Sequence, residues 1–518
     1  MEGFLGLVLG SISVIIISQL LLKLFLILSW RPYVMTKMYR EQGIVGPKYK
    51  FVFGCFQEIL SLKTSAAGIT MDINSHDFTP RIYPHFLKWM SVYGRTFLFW
   101  LGPKPIMFIS DMDLVKKVFF DRSGFYERPH VPLAVNNLLG NGLALINGPD
   151  WVRHRRVINP AFNIDKLKAM TNQMTVCIES MIEGWANQIA HENNGQIEIE
   201  LRGPLQELTA DIIAQTAFGW SYMKGKKVVS AQKRLQEMAY ASIFQVQVPG
   251  FKYLPTNNNR TRRRLEKIIR TNLAQIIHER MDLKDGGYGN DLLGILLETC
   301  MRNEIEKNSY MSLDEIINEC KTFFFAGHDT TSLLLAWTMF LLSTNHDWQE
   351  RLRDEVLSEC GMEAPNADTL SKLKLVNLVL LEVLRLYAPA GMVGRTASQD
   401  MELGNIKLLK GTTVMILISI LHRDKEIWGQ DADKFNPLRF ENGLRKAAMH
   451  PNAFLSFTAG PRVCIGQTFA MLQAKTVISM LLQRFTFNIS PNYVHKPTEI
   501  ITLQPTSGVQ VIIKPMQT

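Results

Sequence analysis

Residues 457–466 read Phe457-Thr458-Ala459-Gly460-Pro461-Arg462-Val463-Cys464-Ile465-Gly466, and an apolar helix is expected from Gln467 onward. The pattern is F-x-x-G-x-R-x-C-x-G, and each residue type has a physical task in holding a thiolate against a metal. Gly460 and Gly466 allow tight turns and close approach of the backbone to a flat cofactor. A cysteine just before a helix start lies at the positive end of the helix dipole, beside unpaired N–H groups. Those donors stabilise a thiolate and temper its electron donation. Arg462 supplies a fixed cation for a carboxylate, and Phe457 would shield the sulfur from water. A lone cysteine in such a place would be an ordinary buried thiol; the whole ten-residue pattern is what departs from that reading.

The loop resembles the haem-binding loop of the cytochrome P-450 family, in which thiolate ligation favours O–O cleavage. The resemblance implies haem b as cofactor, Cys464 as its axial ligand and Arg462 as partner of a propionate. Other motifs of that family follow in order along essentially the whole chain. Glu382-Val383-Leu384-Arg385 resembles its E-x-x-R, and the i,i+3 spacing puts both side chains on one helix face. Alone the pair would read as an ordinary surface ion pair. Phe435-Asn436-Pro437-Leu438-Arg439-Phe440 resembles its P-x-R-F segment, which implies that Arg439 joins the Glu382–Arg385 pair in a structural lock.

Ala326-Gly327-His328-Asp329-Thr330-Thr331 resembles the oxygen-activation motif of the family's long central helix. Glycine and threonine are poor helix formers, and a threonine hydroxyl competes for a backbone carbonyl and bends the helix. The resulting groove suits O2 and water. By resemblance Thr330 is the hydrogen-bond partner of dioxygen and Asp329 the proton relay. A helix cap at Asp329-Thr330 is the competing reading, but apolar residues run on both sides. Trp151-Val152-Arg153-His154-Arg155 resembles W-x-x-x-R. Its i,i+4 spacing aligns an indole N–H (Trp151) with a guanidinium (Arg155), two donors suited to a propionate. Arg395, after Pro389, matches a further propionate-binding arginine of the family. His154 and His328 read as ordinary polar residues, because thiolate ligation leaves them no ligand role.

Around these motifs helical periodicity dominates: 165–187, 205–218, 262–281, 312–343 and 367–386. Strand-like runs fall near 96–101, 105–110, 412–419 and 508–514. The expected fold is mainly α with a minor β component. By resemblance it is the cytochrome P-450 fold, a single large helical haem-binding domain over 51–518 preceded by one transmembrane helix. That helix is expected near 4–22 within an anchor of 1–30, since apolar residues resume after Lys23 as far as Trp30. A basic linker and hinge fills 31–50. Arg31, Lys37 and Arg40 follow the apolar run and only Glu2 precedes it, so the body is expected in the cytosol, on the endoplasmic reticulum membrane. A cleaved signal peptide lacks its basic n-region here.

The net charge is +10. With no nucleic-acid motif beside it, that charge suits an anionic bilayer or an acidic redox partner. Six scattered cysteines without a CxxC pair suggest neither a disulfide framework nor a zinc site. Asn259-Arg260-Thr261 and Asn488-Ile489-Ser490 match the glycosylation sequon and read as chance matches in a cytosol-facing body. There is no flavin or nicotinamide fingerprint, so electrons come from outside. The resemblance implies NADPH–cytochrome P-450 reductase, with Arg423, Lys425, Arg445 and Lys446 as candidates for its docking face.

The expected activity is insertion of one atom of O2 into a lipophilic small molecule. A pocket is expected from 132–145, 323–326, 390–393 and 505–507, and 246–254 resembles the region that dips towards the bilayer. A haem-thiolate hydroperoxide isomerase or dehydratase, and a non-catalytic lipid-binding haemoprotein, are the alternatives. Asp150–Phe162 and Leu503–Gly508 look most like plant microsomal members of the clan with hormone, fatty-acid and terpenoid hydroxylases, in the branch labelled cytokinin-hydroxylase-like and linked to fatty-acid in-chain hydroxylation.

Overall fold

The computed structural model describes residues 2–219, 222–243, 250–282, 287–301 and 310–516, and these fall into two compact units. The first unit takes in residues 1–68, 83–129 and 394–416. It opens with the helix Glu2–Phe25, runs through a π-helical turn Leu26–Trp30, and continues as helix Arg31–Glu41. Within Leu9–Glu41 the most apolar 18 residues have a mean hydropathy of 2.4, and nothing in the protein covers them. Such length and polarity fit a single-pass anchor.

The π-helical turn has a chemical cause. Pro32 has no N–H to offer the Leu28 carbonyl four residues back, and the Tyr49 hydroxyl donates to that carbonyl instead, at 2.7 Å. Residues 31–50, expected as linker, therefore contain ordered structure: Pro32, Met35 and Tyr39 are buried. Gly46 runs beside the sheet, where Leu98 N donates to Val45 O at 3.1 Å. A Cβ on Gly46 would come within 1.8 Å of the Leu98 carbonyl oxygen, so only glycine fits.

The run T-F-L-F-W-L forms strand Thr96–Leu101, paired antiparallel with Lys104–Ile109. Both strands are buried almost end to end rather than on alternate residues, as their unbroken apolar sequence predicts. The strand Lys104–Ile109 also pairs in parallel with Thr413–Leu417. Helix Pro84–Tyr93 packs Phe86 and Trp89 onto Phe97, Phe99 and Phe108.

The second unit takes in residues 69–82, 130–393 and 417–518 and is chiefly helical. Its central helix, Leu313–Thr344, begins in a capping box: Ser312 Oγ accepts from Glu315 N, and the Glu315 carboxylate accepts from Ser312 N. The helix is apolar around most of its circumference and is buried accordingly, between helices Arg202–Phe218, Lys374–Leu386 and Gln467–Arg484. The periodicity at 367–386 resolves into two helices, Ala367–Lys372 and Lys374–Leu386. The break is fixed by Glu355, whose carboxylate accepts from Leu375 N and Val376 N at 2.7 and 3.0 Å. Strand Gln510–Pro515 lies between Ile197–Glu200 and Phe485–Ile489 in an antiparallel sheet. A hairpin, Pro497–Ile500 with Thr502–Pro505, turns at Ile501 in the left-handed region (φ 70°).

Candidate functional site

The cysteine loop is held by its own backbone. Cys464 N donates to Phe457 O at 3.0 Å, Val463 N to Gly460 O at 3.0 Å, and Thr458 N to Leu455 O at 2.7 Å. Gly460 has φ 72°, as a tight turn there requires. Thr458 also sits at positive φ (61°), uncommon for a β-branched residue, and its hydroxyl donates to Arg462 O at 3.2 Å. Helix Gln467–Arg484 starts with Gly466 as its N-cap. At Gly466 an added Cβ would meet only Cys464 Sγ, at 4.0 Å. The chain itself therefore leaves room there, beside the sulfur.

Cys464 is exposed, yet the surrounding protein is dense enough that burial raises its thiol pKa, with the Gly466 N–H and the charge of Arg155 pulling it back. The sulfur is thus accessible although protein crowds around it. The expected helix-start donors do not by themselves make it a thiolate; coordination to a cation would, because a coordinating thiol is deprotonated outright.

Helix Gly148–Ile158 brings its polar residues to the loop. Arg155 Nη1 donates to Val463 O at 3.0 Å. The Arg462 guanidinium lies 4.6 Å from the centre of the Trp151 ring, and its Nη2 donates to Ile146 O and Asn147 Oδ1 at 3.0 and 3.1 Å. Trp151, Arg155 and Arg462 thus gather around Cys464, giving an indole N–H and two guanidinium groups for carboxylates. Arg395 falls in the first unit, buried, with Nη1 donating to Gly394 O at 2.9 Å and its guanidinium 5.8 Å from the Phe119 ring centre. Among the described residues no three His, Cys, Asp or Glu side chains cluster as metal ligands. A lone sulfur ligand suits a metal that brings its other ligands, as a porphyrin iron does. The donor set fits haem.

Glu382 and Arg385 form a fully buried bidentate pair, Nε–Oε2 and Nη2–Oε1 both at 2.7 Å. The ordinary surface-pair reading fails on burial alone. Arg385 also donates to the carbonyls of His422, Ala432 and Lys434. Arg439 stands 3.8 Å from Glu382 and anchors mainly elsewhere, on Trp428 O and the Asp431 carboxylate.

On the central helix, Ala326 is exposed while Gly327 and Thr330 are half-buried, although the residues on both sides are buried. These three share one face, and the helix packs on Gln467–Arg484, the helix that follows Cys464. The Thr330 hydroxyl donates to Ala326 O at 2.6 Å, the carbonyl competition expected of it, and the helix runs straight through the motif, so no cap forms there. Gly327 also serves packing: a Cβ would press Ile213 at 2.9 Å. Asp329 is buried, its Oδ2 accepting from Thr502 Oγ1 at 2.8 Å and Gln236 Nε2 at 3.2 Å.

Gln236 and Thr502 escaped the sequence reading, since nothing local marks a residue that acts across more than 90 positions of chain. The same holds for Glu319, fully buried, whose Oε1 lies 2.5 Å from His154 Nδ1. His154 Nε2 meets Glu315 at 3.3 Å, so His154 is a pairing residue. Its pKa is raised: burial opposes the charge, but the hydrogen bonds to Glu319 and Glu315 outweigh it. Glu315 is held at about 2, against burial, by Arg153, Ser312 and His154.

The family model for cytochrome P450 matches residues 72–513. The chain is 46% identical over 511 residues to cytochrome P450 709B1 of Arabidopsis thaliana, covering 98% of each. It is 38% identical to cytochrome P450 734A6 of Oryza sativa subsp. japonica, over 95% of this chain and 93% of the relative. To cytochrome P450 CYP72A616 of Paris polyphylla it is 40% identical, over 93% and 94%. The chain therefore belongs to the cytochrome P450 family as a plant member: a haem monooxygenase whose cofactor is haem b with an axial cysteine thiolate.

Proposed function

We propose that this enzyme hydroxylates a lipophilic small molecule, of the fatty-acid, terpenoid or plant-hormone kind, with electrons from NADPH delivered by cytochrome P-450 reductase. It works from the endoplasmic reticulum membrane with its body in the cytosol. The observation that carries this reading is the accessible turn Ala326–Thr330 in an otherwise buried helix packed on the helix of the cysteine loop. The accessible turn follows the apolar run Phe323–Ala326 and adds the Thr330 hydroxyl, a lining that suits a substrate with few polar groups.

When bound, the haem supplies the oxidation of substrate by O2. Cys464 would hold it through its sulfur, and Trp151, Arg155 and Arg462 would meet its propionates, a role the family resemblance also assigns to Arg395. Phe457 and the glycines at 460 and 466 would shape the loop against it. Thr330 keeps a proton at Oγ1 beside the oxygen site. Asp329 is the nearest acid in sequence, tied to Thr502 and Gln236; releasing those donors lets its carboxyl carry a proton towards Thr330. Glu382, Arg385 and Arg439 support the loop from behind.

Of the candidate docking cations, Arg423 is buried and donates to the carbonyls of His76, Ser419 and Leu386, so it does not serve a docking face. Lys425, Arg445 and Lys446 are exposed and remain suited to an acidic partner. Of the segment 246–254, residues 246–249 lie outside the described residues; Phe251, Tyr253 and Leu254 are exposed and apolar-faced, which supports a membrane-dipping role.

The test is a substrate screen in microsomes co-expressing the reductase, read by mass spectrometry for the gain of one oxygen. Thr330→Ala should consume NADPH at a comparable rate while shifting the output from product to peroxide. Unchanged coupling would remove the role of that hydroxyl. Turnover of a lipid hydroperoxide without NADPH or O2 would replace the proposal with the isomerase reading.

A further inference from the structure

Inside the second unit four polar rings stand in a hydrogen-bonded row. Tyr493 Oη lies 2.8 Å from His495 Nδ1, His495 Nε2 lies 3.4 Å from Tyr387 Oη, and Tyr387 Oη lies 2.9 Å from His76 Nδ1. Tyr387 is fully buried, and the two histidines nearly so. Phenylalanines would fill this core without the need to satisfy polar atoms, so the row calls for another explanation.

Trp337 stacks on Tyr387, with ring centres 4.3 Å apart and planes 15° apart. Trp337 stands on the central helix seven residues past Thr330. That is two turns, about 10 Å along the axis and nearly the same azimuth. The indole N–H donates to Leu503 O at 3.2 Å, a placement that steadies positive charge on the ring. We propose that Trp337, Tyr387 and His76 form a redox relay that drains oxidising equivalents from the haem site when oxygen is activated without substrate.

One proton arrangement that satisfies the row has Tyr493 O–H donating to His495 Nδ1, His495 Nε2–H to Tyr387 Oη, and Tyr387 O–H to His76 Nδ1. Burial holds His76 and His495 down to about 3 and about 4, so both are neutral acceptors at physiological pH. Burial also raises the Tyr387 phenol, so its proton leaves only together with an electron. In the step, Tyr387 loses one electron and one proton. The electron passes through Trp337, which is oxidised and re-reduced in transit, to a peroxide-oxidised haem iron. The proton moves to His76 Nδ1, leaving a neutral phenoxyl radical and an imidazolium. His76 follows the exposed Asn74 and Ser75 in the chain. A thiolate in solution returns the electron and His76 returns the proton; over two cycles the two electrons, with two protons from solvent, release the peroxide-derived oxygen as water, and the two thiyl radicals couple as a disulfide.

The test uses purified full-length holoprotein with a peracid and no substrate, NADPH or reductase, frozen within milliseconds for electron paramagnetic resonance. It is thus independent of the substrate proposal. A hydrogen-bonded tyrosyl signal is expected. Tyr387→Phe should abolish it and Trp337→Phe should cut it several-fold, while Tyr493→Phe leaves it. Both relay variants should bleach the Soret band several-fold faster under peracid, with the carbon-monoxide spectrum of fresh protein unchanged. Should Tyr387→Phe not fold, Trp337→Phe carries the test together with ring-deuterated tyrosine in the parent. A tyrosyl signal that persists in Tyr387→Phe or keeps its full yield in Trp337→Phe, or equal bleaching in all variants, overturns the relay.

Discussion

Replacing Arg385 by leucine isolates the buried ion pair of helix Lys374–Leu386. The parent geometry sets the magnitude. Glu382 is fully buried and holds Arg385 through two contacts of 2.7 Å. Removing the guanidinium leaves the buried carboxylate without its counter-charge, with the Asn436 N–H at 2.9 Å as its close donor, which costs about 3–5 kcal/mol. It also strands the carbonyls of His422, Ala432 and Lys434, each worth about 1 kcal/mol. Arg439, 3.8 Å away and committed to Trp428 and Asp431, recovers little. The sum of about 6–8 kcal/mol is comparable to a whole domain's stability of about 5–15 kcal/mol, so Arg385→Leu should yield little protein with the haem-thiolate carbon-monoxide signature. Arg385→Lys should be intermediate, since an ammonium cannot span both carboxylate oxygens and three carbonyls. Adding Glu382→Leu to Arg385→Leu removes the stranded charge and should restore part of the loss. The assay is the carbon-monoxide spectrum followed through a urea series for each variant. If Arg385→Leu matched the parent's midpoint, or if the double variant were no better than the single, the stranded-charge reasoning would be refuted.

Three further outcomes follow from other contacts. The folded pKa of His154 is raised, so its pairing stabilises the protein fully below the ordinary histidine value of about 6.5 and is lost as pH rises through the folded value. His154→Phe should flatten the fall in melting temperature on the alkaline side of neutrality, read in a pH series of thermal melts; the same slope in both proteins would exclude the pair as its source. Tyr49→Phe removes the donor to the Leu28 carbonyl and should cost about 1 kcal/mol locally. Limited proteolysis should cut faster between residues 26 and 50, with the carbon-monoxide spectrum unaltered. Gly46→Ala drives a Cβ into the Leu98 carbonyl and should lower the melting temperature by several degrees; an unshifted melt would mean that the strand edge yields.

The sequence read well where chemistry is local. The turn at Gly460, the helix start after Gly466 and the apolar strand 96–101 each depend on neighbouring residues, and each is found where the pattern put it; the strand expected at 105–110 forms one residue earlier, at 104–109. The single periodic stretch 367–386 hid a break, because Glu355, the residue that caps the second helix, lies on another helix. Arg423 read as a surface cation because charge is the only local signal an arginine carries; its carbonyl partners lie up to 347 residues away. Asp329 was legible as an acid in a motif, but Thr502 and Gln236, which hold it, are ordinary residues in ordinary strands and helices.

The polar side chains of the central helix sort by what holds them. Glu319 is held by His154, Lys321 by Glu266, Thr322 by the Leu139 carbonyl and Asp329 by Thr502 and Gln236. The His328 carbonyl is held by the Thr209 hydroxyl at 2.9 Å. Each of these ties leads to a different element, so the helix is pinned along its length. Thr330 bonds within its own turn, to Ala326 O, as do His328, Ser332 and Thr338, but those three are buried and Thr330 is accessible. Its hydroxyl can turn from that carbonyl to a small ligand at the cost of about one hydrogen bond, regained in the new contact. No buried network has to break first. A helix fixed by distant partners and free at one turn can accommodate a small oxygen ligand without moving the elements that hold the cysteine loop.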